Sequence, residues 1–188
     1  MRARYNTTGI ILARTPLAEA SALIHVLTEE FGLVRARAQG VRGSGAKLAS
    51  ATQTLSESDI IILRGKEGWR LSGAVLLTNW HRTLTKEQRA CAGRVARLLL
   101  RLIHGESHDV NVFYVFQSFV HALSTLPADY TDAAEQLVVL RLLHELGFDA
   151  EPEQGSGTNF SHEILEAVAK DRKNYLARIN RGISASGL

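Results

Sequence analysis

The run Leu33-Val34-Arg35-Ala36-Arg37-Ala38-Gln39 alternates between apolar and long polar residues. At the period of two of a β-strand, Arg35, Arg37 and Gln39 share one face, and Val34, Ala36 and Ala38 share the other. A row of guanidinium groups ending in a carboxamide offers several N–H donors to anionic oxygens. Directly after it comes Gly40-Val41-Arg42-Gly43-Ser44-Gly45-Ala46-Lys47, which carries three glycines, two cations and no acid. That is the composition of a loop whose backbone amides and side chains can close on phosphates. Arg35, Arg37, Gln39, Arg42 and Lys47 therefore predict one polyanion-binding surface. A second basic strip follows from Leu84 to His104 read at 100° per residue: Lys86, Arg94, Arg97 and Arg101 fall opposite Val95, Leu98, Leu99 and Leu102, with Arg89 at the margin. An arc of this kind ordinarily mixes both signs of charge, and here acids are nearly absent. Packed beside the strand, it would lengthen the same track.

Other chemistries lack a candidate. Gly40 and Gly45 have the spacing of the outer glycines of a P-loop, but Ala46 stands where that loop needs lysine, and Leu48 follows Lys47 where it needs Ser or Thr. Residues 48–58 also show no amphipathic helix to present to a phosphate. His104 and His108 have i, i+4 spacing, yet Gly105 interrupts any helix between them and only Asp109 is nearby as a third donor. Cys91, the single cysteine, lies beside Ala90 and Ala92 near the apolar arc, where a small buried thiol is expected rather than a nucleophile. No Ser/His/Asp arrangement or carboxylate pair stands out, so a non-enzymatic protein without cofactor or metal is expected.

Two kinds of element must position these residues. Candidate strands are Gly9–Arg14, Ala22–Thr28, Leu33–Gln39, Asp59–Arg64 and Trp69–Thr78, with Glu29-Glu30-Phe31-Gly32 turning the second into the third and Gly73 marking a bulge or bend. Five short strands in about eighty residues suit a small closed barrel, either a five-stranded OB-fold or one of the SH3 kind. After residue 83 the period becomes 3.6. Helices are expected at Leu84–His104, Val110–Leu126, Thr131–Leu146 and His162–Arg181, and the third, apolar nearly all round, belongs at the centre of its bundle. Between Asp149 and Asn159 the sequence has no periodicity and reads as an exposed acidic loop. The expected organisation is α+β, with a five-stranded barrel over residues 1–82 and a helical domain over 83–188 that includes the loop at 149–160.

Net charge is only +3 over 188 residues, but it is unevenly held. Residues 1–101 contain 16 Lys/Arg against 7 Asp/Glu, and residues 102–188 contain 6 against 12. A surplus confined to one half creates a local field that attracts polyanions, so partners are expected there. No apolar run is long enough to span a membrane, and the N-terminus lacks a secretion signal, which points to the cytoplasm. Aromatics available for base stacking in the basic half are Tyr5, Phe31, Trp69 and Trp80.

The order of these features resembles the bacterial recombination mediator family RecO. The resemblance rests on Tyr5-Asn6-Thr7-Thr8-Gly9-Ile10-Ile11-Leu12, then Pro16-Leu17-Ala18-Glu19-Ala20-Ser21 and Leu27-Thr28-Glu29-Glu30-Phe31-Gly32. It continues with Arg35-Ala36-Arg37-Ala38-Gln39-Gly40-Val41-Arg42, the basic loop ending at Lys47-Leu48, and Leu140-Arg141-Leu142-Leu143-His144-Glu145-Leu146-Gly147-Phe148. It implies an N-terminal OB-fold joined to a helical domain that binds single- and double-stranded DNA, anneals complementary strands and helps load recombinase onto DNA coated by single-strand-binding protein. It also implies two protein partners, RecR and the acidic C-terminal tail of single-strand-binding protein, with Arg141 the candidate for meeting the tail. Many members carry a four-cysteine zinc element after the Gly-Phe pair. Here Gln154-Gly155-Ser156-Gly157 supplies no ligand and the chain ends at Leu188, so zinc is not expected. The residues themselves leave open an adaptor that docks acidic peptides and an RNA-binding OB-fold protein.

Overall fold

The computed structural model describes residues 3–17, 21–39, 45–104, 110–151 and 157–188, except for the side chains of 45–47. Most of the expected basic loop, including Arg42, lies outside them, as does His108. Two compact units are formed, one built on Met1–Thr83 and the other on Leu84–His104 with Asn111–Leu188.

The first unit is a closed barrel of β1 (Ala3–Pro16), β2 (Ser21–Thr28), β3 (Gly32–Gln39), β4 (Ser56–Gly65) and β5 (Gly68–Asn79) in the order β1-β2-β3-β5-β4. Four pairings are antiparallel. The fifth closes the barrel with a short parallel ladder between β3 and β5, Ala36 to Trp69, Arg37 to Arg70 and Ala38 to Leu71. The expected OB-fold is what forms. Alternating residues fill its interior: Ile11, Ile24, Val26, Val34, Ala36, Ile60, Ile62 and Trp69 make one buried cluster.

β1 begins six residues before the expected start, because Ala3–Thr8 is a largely polar, exposed edge segment that gains its strand character from pairing with β4, while Gly9–Pro16 pairs with β2. One strand serving two neighbours must bend, and the register slips by one residue between Ile11 and Ala13. Gly9 sits where the sheets converge: a Cβ there would lie 2.5 Å from Val26 Cγ2 and 3.2 Å from the Leu27 carbonyl oxygen. The irregularity expected at Gly73 is present, since Ile61 pairs with Gly73 but Ile62 with Leu71, leaving Ser72 as the extra residue.

A helix that the sequence does not suggest, α1 (Gly45–Ala51), lies between β3 and β4 and packs on β4 and β5. Its seven residues are too few to show a period. Hydroxyls just downstream satisfy its final carbonyls: Thr52 Oγ1 donates to Leu48 O, Ser56 Oγ to Ser50 O and Ser58 Oγ to Ala51 O, each at 2.8 Å. Lys47 therefore belongs to a helix rather than a loop. A further short helix, α2 (Trp80–Thr83), ends this unit, with Trp80 buried and its Nε1 donating to Glu57 Oε2 at 2.9 Å.

The second unit contains α3 (Lys86–Leu102), α4 (Val110–Thr125), α5 (Thr131–Glu145), α6 (His162–Lys170) and α7 (Arg172–Ala185). Thr85 and Gln88 form a reciprocal capping box at the start of α3. α5 is the central helix, as its apolar circumference predicts, and packs against α3, α6 and α7. The expected helix His162–Arg181 is instead two, broken at Asp171, which leaves helical geometry at φ −108° and ψ 32° and accepts a hydrogen bond from Asn174 Nδ2 at 3.2 Å. Gly182 lets α7 approach α5 closely, since a Cβ there would lie 2.8 Å from Leu143 Cδ1.

Candidate nucleic-acid interface

The alternation in β3 holds from Val34 onward: Val34, Ala36 and Ala38 are buried and Arg35, Arg37 and Gln39 are exposed. Each exposed residue has defined neighbours. Across β2 they face His25, Leu23 and Ser21. On the other side the parallel ladder sets Arg37 beside Arg70, and Arg70 Nη2 donates to Gln39 Oε1 at 2.8 Å. A carboxamide that accepts from one guanidinium leaves its own NH2 free to donate elsewhere. The Gly65–Gly68 turn between β4 and β5 brings Lys66 to the same place, and Gly68 takes a φ of +99° that a side chain would disfavour. The result is a cleft of about 500 Å³ lined by Arg37, Gln39, Lys66, Trp69 and Arg70, with Glu67 its one acid. The row continues around the barrel, because Arg70 pairs with Leu63 and Leu63 with Arg4.

Such a cleft presents three cations and a carboxamide on a rigid sheet and turn. Groups of this kind can bind closely spaced anionic oxygens, and the lining holds no nucleophile or proton-transfer pair. His25, beside Arg35, has its pKa lowered first by burial and then by the neighbouring guanidinium, so it does not reinforce the positive charge at neutral pH. The aromatic candidates are mostly structural. Tyr5, Phe31 and Trp69 meet at one end of the barrel with centroid separations of 5.0, 5.6 and 5.5 Å, and the Arg64 guanidinium lies 4.7 Å from the Trp69 ring centroid. Trp69 and Trp80 are 8% and 7% exposed, which leaves little face for a stacking base, whereas Tyr5 is 36% exposed.

Lys66 and Arg70 escape the sequence reading, although Arg70 follows from alternation with Trp69. What joins them to Arg37 is the parallel closure of the barrel, a pairing that local pattern cannot reveal.

The expected strip on α3 divides. Arg97 and Arg101 are exposed, but Arg94 makes a bidentate ion pair with Glu135 of α5, with Nε to Oε1 at 2.7 Å and Nη2 on Oε2. The acid missing from the arc is thus supplied by the adjacent helix, and that hydrogen-bonded pairing raises the Arg94 pKa further. Cys91 is buried as expected, and burial together with Glu135 pushes its thiol up, away from thiolate formation. Arg141 is not a surface cation. It is 2% exposed, donates from Nη1 to the carbonyls of Gly157 at 3.2 Å and Asn159 at 2.6 Å, and stacks 4.8 Å from the Phe160 ring centroid. Arg178 likewise binds Asp149 Oδ2 at 2.6 Å and the Glu151 carbonyl at 2.7 Å, so the two arginines hold both described ends of the 149–160 segment. Between α3, α5 and α7 lies a separate groove of about 320 Å³ lined by Leu98, Val139, Leu176 and Ile179, by Arg172 and Asp132, and by the Arg94–Glu135 ion pair.

Among the described residues no group of His, Cys, Asp and Glu is arranged to hold a metal ion, and no helix is long and apolar enough to cross a membrane.

Residues 1–80 match the family described as Recombination protein O N terminal. The chain is 28% identical over 160 residues to the DNA repair protein RecO of a Cyanothece strain, covering 82% of this chain and 53% of that protein. It is 26% identical over 141 residues to the Clostridium perfringens DNA repair protein RecO, covering 74% and 57%. It is 42% identical over 62 residues to the Gloeobacter violaceus protein of the same name, covering 33% and 24%. The chain spans about half the length of the curated relatives it matches. The OB-fold barrel coincides with the residues that match the Recombination protein O N terminal family, and similarity to proteins named DNA repair protein RecO runs on from it into the helices.

Proposed function

We propose that this protein is a non-enzymatic DNA-binding mediator of recombinational repair, acting in the cytoplasm, whose barrel holds DNA by its phosphates. The observation that carries this reading is the side-by-side placement of Arg37 and Arg70 across the β3–β5 ladder, with Gln39 and Lys66 completing one cleft. Arg35 extends it along β3, and Arg42 and Lys47, which follow β3 in the sequence, are further proposed contacts. Phosphate contacts of this kind give affinity without sequence preference, which suits a protein that must act on any damaged sequence. Arg97 and Arg101 form a second, weaker contact strip. Arg94 contributes little because Glu135 neutralises it.

The finer role is strand annealing and recombinase loading on DNA coated by single-strand-binding protein, together with RecR. Annealing of complementary oligonucleotides coated with single-strand-binding protein tests it: the protein should accelerate duplex formation, and Arg37→Glu with Arg70→Glu should abolish the acceleration. An unchanged annealing rate in that double variant would reject the cleft as the DNA site. For the acidic tail of single-strand-binding protein, the groove between α3, α5 and α7 replaces Arg141 as the proposed seat, because its apolar walls can take the side chains of a short peptide and Arg172 can meet a carboxylate. Arg172→Glu should weaken binding of that tail peptide and leave oligonucleotide affinity unchanged.

A further inference from the structure

The barrel carries a second exposed face with the opposite chemistry. On the outside of β1, β4 and β5, Thr8 pairs with Asp59 and Asp59 with Val75, while Asn6 pairs with Ile61 and Ile61 with Gly73. Val75 is 67% exposed and Leu77 50%, the highest values among the described large hydrophobic residues. They are not isolated. Gly73 has no side chain, and Ile61 Cδ1 lies 3.5 Å from where its Cβ would be; Ile61 lines one cavity with Val75, and Leu77 lies two residues further along β5, which sets a short apolar stripe on these strands. Single exposed aliphatics are ordinary, but a contiguous set on a rigid sheet marks a contact surface.

Next to the stripe is a cavity of about 460 Å³ in which Val75 and Ile61 meet Asp59 and the turn residues Glu29 and Glu30, with no Lys or Arg in its lining. Thr8 Oγ1 donates to Asp59 Oδ1 at 3.0 Å and fixes that carboxylate in place. The acids repel nucleic acid and would repel a second copy of the same face. They complement a cationic partner.

We propose that this face docks a partner protein through a segment that presents aliphatic side chains flanked by lysine or arginine. The inference does not rest on the proposed DNA-binding role, because it uses different residues on a different part of the sheet.

The test uses a fluorescein-labelled amphipathic helical peptide with a leucine stripe flanked by lysines, a counterpart with glutamates in place of lysines, and the 188-residue chain. Anisotropy should show saturable binding of the lysine peptide and none of the glutamate peptide. Val75→Ser with Leu77→Ser, and separately Asp59→Lys, should each weaken binding at least about tenfold. Arg37→Glu should leave peptide binding intact, and Val75→Ser with Leu77→Ser should leave oligonucleotide affinity intact, which also reports that the variant folds. Equal binding of both peptides, failure of the lysine peptide to bind, or insensitivity to Asp59→Lys overturns the proposal. So does sedimentation showing that the chain self-associates and that Val75→Ser with Leu77→Ser abolishes it, since the occupant would then be a second copy.

Discussion

Replacing Arg37 and Arg70 by alanine should change how DNA binding depends on salt as well as how tight it is. Arg37, Lys66 and Arg70 line the cleft and Arg35 is exposed on the same face of β3, which gives four cations to count. If each neutralises one phosphate of a single strand, the slope of log affinity against log salt is roughly −0.7 per contact, or about −2.8 for four. Raising salt from about 50 to about 200 mM then weakens binding about 50-fold, whereas the double variant, with a slope of about −1.4, loses only about 7-fold. The assay is fluorescence anisotropy of a labelled oligothymidylate across a salt series, repeated with oligonucleotides of mixed sequence and with RNA of equal length. The two substitutions should lower affinity alike for every sequence, because phosphates carry no sequence information. A variant that binds more weakly but retains the wild-type slope would refute the reasoning, because the two arginines would then act through structure and not through phosphate neutralisation. Arg94→Ala is the internal control and should leave the slope unchanged, its charge being matched by Glu135.

Other perturbations probe the scaffold. Gly9→Ala should destabilise the barrel by about 1–3 kcal/mol in urea denaturation, because the added methyl meets Val26 and a backbone carbonyl that cannot retreat. Arg178→Met should cost the helical unit about 3–5 kcal/mol, since the Asp149 carboxylate, with its side chain only 11% exposed, would lose its partner in a buried site. His25 has a folded-state pKa below its ordinary 6.5, so its neutral form favours folding: this contribution is complete above pH 6.5 and is lost as pH falls through the folded value. Arg35→Gln removes the smaller of the two causes, and NMR titration of the imidazole should show its pKa rising part of the way back.

The sequence made the barrel legible because each strand carries its own alternation, and β3 could be assigned face by face. The central helix was legible for a related reason, since an all-apolar circumference has only one place to go. Features that depend on residues far apart were not. α1 is too short to have a period and is terminated by hydroxyls from the following segment. The ion pair of Arg94 uses a carboxylate 41 residues away. Arg141 looked like a cation available to a partner because sequence shows charge but not burial, and only the fold reveals the carbonyls of Gly157 and Asn159 converging on it. The cleft was half visible: Arg37 and Gln39 came from alternation, whereas Lys66 and Arg70 needed the β3–β5 ladder.

That ladder has a further consequence. It is the one parallel seam in the barrel and joins residues more than thirty positions apart, so the loop-closure entropy of the intervening chain must be met before it forms. Arg37 and Arg70 lie on opposite sides of this seam, and an anion spanning both would act as a brace across it. The binding-competent cleft does not exist in a barrel that has opened there, so occupancy and closure are thermodynamically linked. At ligand concentrations about a hundredfold above Kd the linkage amounts to about 2.7 kcal/mol in favour of the closed barrel. A protein built this way is most resistant to unfolding and proteolysis while its cleft is filled, and is more readily lost when it is empty.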